Sequence, residues 1–299
     1  MKTHHRSNDS SNLHINQARS GVAFIEEVRR TEVPYGTLAL WFLGQESVII
    51  KGDGITIYVD PYVSGDFDNE LWRRTYPAPI RPEEIQGVDV CLITHEHNDH
   101  MDERTLLPLH RQNPAALLVA PGCCQPMLQG WGIAESQIRV ADDRQPLELS
   151  SKLRVTPIAA AHEQLERDDS GNPRYVGYVL ELNGVTLYHA GDTLVFPELL
   201  EQVAALQPDV ALLPINGRDY FRERLGIVGN MDYREAAEFA HGIHVDTVIP
   251  LHYDLFAVNA EKPGYFVDYI YEHFPEQKCH VMARAERFIY ASPHAFLSK

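Results

Sequence analysis

Residues 94–100, Thr-His-Glu-His-Asn-Asp-His, decide the reading of this chain. They directly follow residues 88–94 (VDVCLIT), a continuous apolar run of the kind that forms a strand buried on both faces. A helix is expected to start near Asp102, with Pro108 limiting or kinking it. Residues two apart in an extended segment point to the same side, so His95 and His97 can share one metal ion. If the chain then curls towards the helix, Asp99 and His100 can face a second. Imidazole and carboxylate are ligands that Zn, Mn, Fe and Ni sites have in common. A polar loop with helix-capping residues is the plainer reading, but it leaves three histidines and one aspartate within six residues without a reason.

A catalytic metal site needs further ligands, and three later positions offer them. His162 follows an expected strand at 152–158, in Ala-Ala-Ala-His-Glu. Asp192 follows one at 185–189, in His-Ala-Gly-Asp-Thr. His252 follows one at 246–250, in Pro-Leu-His-Tyr-Asp. Open α/β sheets place their sites at these carboxyl ends. Each residue alone would be an ordinary surface or core side chain. Together with the 94–100 cluster they complete two coordination shells.

The rest of the chain supplies a scaffold for those strand ends. Short apolar runs at 37–43 (TLALWFL), 47–52 (SVIIKG) and 54–60 (GITIYVD) are separated by Gly44-Gln45-Glu46 and Gly52-Asp53-Gly54 and read as hairpins. Residues 64–86 read as a long loop with a helical piece. Further strands are expected at 117–120, 138–140, 146–149 and 152–158. VGYVLEL (176–182), Asn183-Gly184 and VTLYHAG (185–191) form a hairpin with the strongest short-range turn signal. Helical spacing of apolar residues covers 194–206, and DVALLPI (209–215) is another buried strand. Asp232-x-x-Glu235 resembles a capping box for a helix running to about His241. A strand at 246–252, a helix at 265–273 and strands near 279–282 and 286–290 finish the chain, and residues 22–30 form a short helix before it all. Two mixed sheets packed face to face with helices outside satisfy this pattern as one domain over 21–299, after a disordered polar tail over 1–20.

Composition narrows the function classes. With 26 Lys+Arg against 42 Asp+Glu the formal charge is −16, which argues against nucleic acid or an anionic membrane as partner. A small anionic substrate held by a local basic pocket stays open, as does a homo-oligomer. The tail has no apolar core of a secretory signal, and no stretch approaches a membrane span. Cys91, Cys123, Cys124 and Cys279 include no C-x-x-C pair, and adjacent cysteines seldom bridge, so reduced thiols in a cytoplasmic protein are expected. The 15 histidines exceed ordinary usage. His4 and His5 read as incidental, and His110, His241, His244, His273, His280 and His294 lack ligand-like partners in the sequence.

The strings WFLGQES, YVDPYVSG, THEHNDHMD, YHAGDT and PLHYD together resemble the metallo-β-lactamase superfamily over about residues 37–290. LWFLGQES with YVDP, GDT before a long helix, GNM (229–231) before Asp232, and IPLHYD are most similar to the branch containing L-ascorbate 6-phosphate lactonase. The resemblance implies a four-layer αβ/βα sandwich and one or two divalent metals. It implies that His95, His97 and His162 hold the first, and Asp99, His100 and His252 the second, with Asp192 bridging. The branch is associated with manganese and so implies Mn²⁺, while the ligand types alone equally allow Zn²⁺. The implied activity is hydrolysis by a metal-activated hydroxide, most concretely opening the lactone of a phosphorylated sugar acid. A phosphodiesterase or another small-molecule ester hydrolase of the same superfamily is the alternative.

Supporting roles follow from position. Asp99 could orient the attacking water or take its proton. Asp60 ends the third strand and reads equally as an acceptor fixing a ligand imidazole and as a turn-former before Pro61. Gly191 would let the backbone approach the metals, and His189 reads as a supporting histidine. Tyr253 and Asp254 adjoin His252 and could touch substrate. Arg218, Arg222 and Arg224 lie in residues 216–229, a loop expected to overhang the metals. Their forked donors suit a phosphate, while surface pairing through Glu223 is the competing reading.

Overall fold

The computed structural model describes residues 20–65, 70–293 and 295–296. The tail expected over 1–20 lies, except for Ser20, outside them, as does His294. The chain forms two seven-stranded mixed sheets, each antiparallel where hairpins connect its strands and parallel where longer crossovers do. In the first, β1 (Thr37–Gly44), β2 (Ser47–Gly52) and β3 (Ile55–Val59) are successive hairpin strands. β4 (Val90–Leu92), β5 (Leu117–Ala120) and β6 (Ile138–Val140) then add in parallel. In the second, β7 (Leu147–Ser150), β8 (Leu153–Ala159), β9 (Val176–Leu182) and β10 (Val185–His189) run antiparallel. β11 (Val210–Pro214), β12 (Thr247–Leu251) and β13 (Lys278–Cys279) follow in parallel. The last strand, β14 (Arg287–Ala291), returns to the first sheet beside β1.

Alternation along β1 explains the layering. Leu38, Leu40 and Phe42 face the second sheet and join Val155, Leu180, Leu187 and Leu212 in one apolar core. Ala39, Trp41 and Leu43 face the other way, against α1 (Val22–Arg30) through Phe24, Ile25 and Val28 and against α2 (Glu103–Gln112) through Leu106 and Leu109. On the far side of the second sheet, α6 (Tyr233–Gly242) packs Ala236, Ala237, Phe239 and Ala240. Asp232 and Glu235 form the capping box the sequence announces. The Asn183-Gly184 turn takes positive φ at both residues, as a tight hairpin requires.

Some boundaries differ from expectation for local reasons. The 88–94 strand pairs only over Val90–Leu92, because Thr94 leaves its sheet: its carbonyl accepts from Val176 N (3.1 Å) in the other sheet. The helix expected from 194 starts as α4 (Pro197–Ala205), where proline suits the first turn. α2 runs on past Pro108 to Gln112, held down by Leu106 and Leu109. The strand near 279–282 pairs only over β13. Two short helices, α3 (Gln125–Gly130) and α5 (Tyr220–Arg224), are too brief for periodicity to reveal. The cysteines are unbridged, and no helix among the described residues is long and apolar enough to cross a membrane. What matters for the site is the edge where the two sheets meet. The residues that follow β3, β4, β8, β10 and β12 converge there.

Candidate metal centre

A buried carboxylate organises the site. Asp60, at φ 43° directly after β3, has no solvent exposure. Its Oδ1 accepts from the Thr94 backbone N–H (2.7 Å). Its Oδ2 accepts from the Thr94 hydroxyl (2.6 Å) and from His100 Nδ1 (2.7 Å). The Thr94 hydroxyl proton is thereby committed to Asp60, so its oxygen accepts from His95 Nδ1 at 3.0 Å. Both imidazoles are fixed in one tautomer with Nε2 directed away from the hub. Asp60 is thus both the turn and the acceptor between which the sequence could not choose. Gly191, at φ 59°, comes close to that hub: a Cβ there would lie 2.9 Å from Thr94 Cβ and 2.9 Å from the Val176 carbonyl. His189 takes a supporting place, with Nε2 donating to the Glu46 carbonyl (2.9 Å) and Nδ1 accepting from Gly191 N (3.2 Å).

Three overlapping sets of side chains bring potential ligand atoms within 4.8 Å of one another: His95, His97 and His162; His95, His100 and Asp192; Asp99, His100 and His252. All seven residues named from the sequence are therefore together, His162 included. Asp192 sits between the outer sets, with Oδ1 3.5 Å from His100 Nε2 and Oδ2 3.4 Å from His252 Nε2 and 3.7 Å from His162 Nε2. His100 Nε2 and Asp192 Oδ1 are buried without a hydrogen-bond partner. Such groups are costly unless something binds them, and a divalent cation fits both.

The charge balance makes the same demand. Burial holds His95 well below the ordinary imidazole value and His162 down at about 4, so both present the neutral form that ligates metals. Burial also opposes charge on His100, but the carboxylates of Asp192, Asp99 and Asp60 outweigh it and raise that imidazole well above its usual value. Asp192 is held well below the carboxylate range: burial works against its charge, and the imidazoles of His252 and His100 overcome it. The cluster is a pocket for positive charge.

Two supporting residues escaped the sequence reading. Gln45 Nε2 donates to Asp99 Oδ2 (2.8 Å) and lies 3.0 Å from His252 Nε2, while its carbonyl accepts from His252 N (3.1 Å). Glu46 is fully buried, and burial, then the neighbouring Asp192, pushes its carboxyl well above the usual range. Its Oε2 lies 3.5 Å from His189 Nε2. The available signal was a polar pair in a two-residue turn between buried strands. As a local pattern Gln45-Glu46 reads only as a turn, and within WFLGQES it carries the family resemblance without a role of its own. Glu96, beside the ligands, is held outward by Arg174.

Above the cluster opens a cavity of about 400 Å³, at the small end of ligand pockets. His97, Asp99, His162, Asp192 and His252 form its floor. Trp72, Asn98, residues 226–228, Phe256 and Asn259 form its walls and roof. The 216–229 loop does overhang the cluster, but its arginines do not line the cavity. Arg218 makes a fork on Glu235 (2.7 and 2.7 Å) and donates to the Asn230 carbonyl (2.9 Å). Arg222 donates to the carbonyls of Asn216 and Ala260 and pairs with Asp219, and Arg224 lies over the Tyr220 ring. None of these pairs runs through Glu223. Asp254 is also elsewhere, accepting from Tyr76 Oη (2.6 Å) and Arg284 (3.2 Å).

Comparison with known proteins agrees with this geometry. The family profile described as the β-lactamase superfamily domain matches residues 56–253. A UPF0173 metal-dependent hydrolase of Korarchaeum cryptofilum is 30% identical over 223 residues, 74% of this chain and 86% of that protein. A probable L-ascorbate-6-phosphate lactonase of Escherichia fergusonii is 26% identical over 267 residues, covering 78% and 74%. Among solved structures, the metallo hydrolase Igni18 of Ignicoccus hospitalis superposes with a TM-score of 0.65 at 26% identity, over 85% of this chain and 98% of that one.

Proposed function

The chain belongs to the β-lactamase superfamily and is a metal-dependent hydrolase, and on that premise we propose that it opens a lactone, with Asp99 handling the proton of the attacking water. The observation that carries the reading is the floor of the cavity. The His95/His97/His162 set and the Asp99/His100/His252 set lie on either side of Asp192 and face a half-open cavity the size of a small molecule. In this reading His95, His97 and His162 would hold one divalent ion and Asp99, His100 and His252 a second, with Asp192 available to both. Mn²⁺ and Zn²⁺ both suit these ligands. A divalent ion held there would lower the pKa of a water to about 7 and would offer positive charge to a developing oxyanion.

The chain's own residues supply the rest. Asp60 and Thr94 lock His95 and His100, so the floor does not reorganise as charge develops. Gln45 anchors Asp99 Oδ2, and the Asp99 carboxylate lines the cavity, where it can accept a water proton. The water oxygen attacks the acyl carbon and the ring C–O bond breaks. The proton passes to the departing alkoxide, giving a hydroxy acid. Likeness to the Escherichia fergusonii lactonase favours a lactone over other esters. A phosphorylated sugar-acid lactone is the anionic candidate in the screen, to be tested beside lactones with uncharged side groups.

The experiment is a substrate screen with Mn²⁺- or Zn²⁺-loaded protein on lactones, phosphodiesters and RNA. Lactone turnover is expected. Asp99→Asn should lower kcat by about 10²–10⁴-fold. Turnover of a phosphodiester or RNA without any lactone turnover would overturn the reading. Full activity in an Asp99→Asn protein of full metal content would remove the proton role.

A further inference from the structure

We infer that the cavity selects a lactone or ester whose side group is uncharged and apolar, and that Trp72, Ile227, Val228 and Phe256 make this choice. The inference rests on the hydrolase reading above and names its substrate class. Beyond the floor, the cavity presents these four apolar side chains and two amides, Asn98 and Asn259. Among the described residues that line it, none is a lysine or arginine. Of the overhanging loop's guanidinium groups, Arg218 is committed to Glu235 and Arg222 to two carbonyls and Asp219, while Arg224 lies over the Tyr220 ring and not in the cavity lining. Arg74, two residues from Trp72, is turned inward to the carbonyls of Leu43, Tyr62 and Tyr76. An anionic arm that reaches this wall would lose water and meet no cationic side chain there.

The aromatic residues of the apolar wall pack on one another. Trp72 meets Phe256 edge to face at 5.3 Å between centroids, and Tyr62 packs on Phe256 from behind at 6.0 Å. The polar part is held by hydrogen bonds. Asn230 donates to Asn216 (3.1 Å) and Asn216 donates to Asn259 (3.1 Å), a buried chain of amides that orients the one reaching the cavity. The overhanging loop also exposes Tyr220, Phe221 and Leu225 beside the segment that lines the cavity. Neutral hydrogen bonding at the two amides and aromatic and aliphatic surface over the rest fit an alkyl or aryl substituent next to the reacting carbonyl.

Hydroxamates test this without turnover, because their chelating head anchors on the metal centre and their tail samples the wall. Hexanohydroxamate and its 6-sulfonate would be titrated calorimetrically into metal-loaded protein; the sulfonate carries an anion that is itself a poor metal ligand. The alkyl compound should bind at least about tenfold more tightly. Val228→Lys should bring that ratio to one or below. Trp72→Ala should weaken hexanohydroxamate more than acetohydroxamate, which guards against a misfolded lysine variant. Equal binding, no binding, sulfonate preference, or a ratio unmoved by both variants overturns the inference. The two readings fail separately: alkyl preference in a protein that opens no lactone removes the reaction and keeps the wall. Lactone turnover with sulfonate preference does the reverse.

Discussion

The floor and the roof of the cavity are built on different principles. Floor side chains are ionisable, mostly buried, and fixed by covalent position: they follow β4, β8, β10 and β12, and Asp60 behind them follows β3. Roof side chains are neutral and come from loops around residues 72, 226–228 and 256–259. The floor is held by hydrogen bonds that set which nitrogen faces inward. The roof is held by aromatic packing, and its arginines serve the loop itself. The contrast separates two tasks: the floor determines what chemistry is possible, the roof which molecule reaches it.

The comparison breaks most severely at His100, which belongs to two of the three ligand sets and carries the Asp60 contact. His100→Ala should lower metal content and reduce activity by more than about 100-fold, read by elemental analysis beside kinetics. A variant with full metal and activity would mean that the floor does not work as a unit. Asp60→Asn touches no substrate; it removes the negative charge and replaces one of the two acceptor oxygens behind His100 and Thr94 with an NH2 donor. Metal affinity should fall by about 10–100-fold, measured by competition with a chelator. Unchanged affinity would reduce Asp60 to a turn residue.

Two glycines at similar φ set the regions against each other. Gly191 has φ 59° and would place a Cβ 2.9 Å from Thr94, whereas Gly226 has φ 74° and would place one in open space. Gly226→Ala should cost about 1 kcal/mol, the ordinary penalty for the left-handed region. Gly191→Ala adds a clash with the hub and should cost about 2–4 kcal/mol, with loss of metal affinity. Equal costs in denaturant unfolding would show that the floor is no more tightly packed than the roof.

This asymmetry also explains what could be read from the sequence. The floor was legible because metal chemistry restricts residue types and strand ends restrict positions, so His95, His97, Asp99, His100, His162, Asp192 and His252 stood out and the fold brings them together. The sheets were legible from buried apolar runs and hairpin turns such as Asn183-Gly184. Gln45 and Glu46 were not, because their contacts to Asp99, His252 and His189 join residues over 50 positions apart, and no local pattern encodes them. The roof was least legible. Trp72 and Phe256 look like any core aromatics until the loops are placed. Arg218, Arg222 and Arg224 looked like an anion site because a guanidinium's partner is invisible in sequence.

The smallest effect belongs to one of those arginines and tests the roof directly. Arg218 and Glu235 are both about one-third exposed, at 38% and 34%, and such pairs contribute about 0–1 kcal/mol despite good geometry. Arg218→Ala should therefore lower stability by less than about 1 kcal/mol. The Arg218 hydrogen bond holds the Glu235 carboxyl below its ordinary 4.5, so the pair stabilises the fold above that value. Its contribution disappears as pH falls through the lowered value, so the difference between wild type and variant should shrink on acidification. Hydroxamate preference should not move, because the side chain serves the loop and not the cavity. A tenfold loss of affinity for the sulfonated compound, with the alkyl compound unaffected, would return Arg218 to the role of anion contact. The roof would then share the floor's reliance on charge.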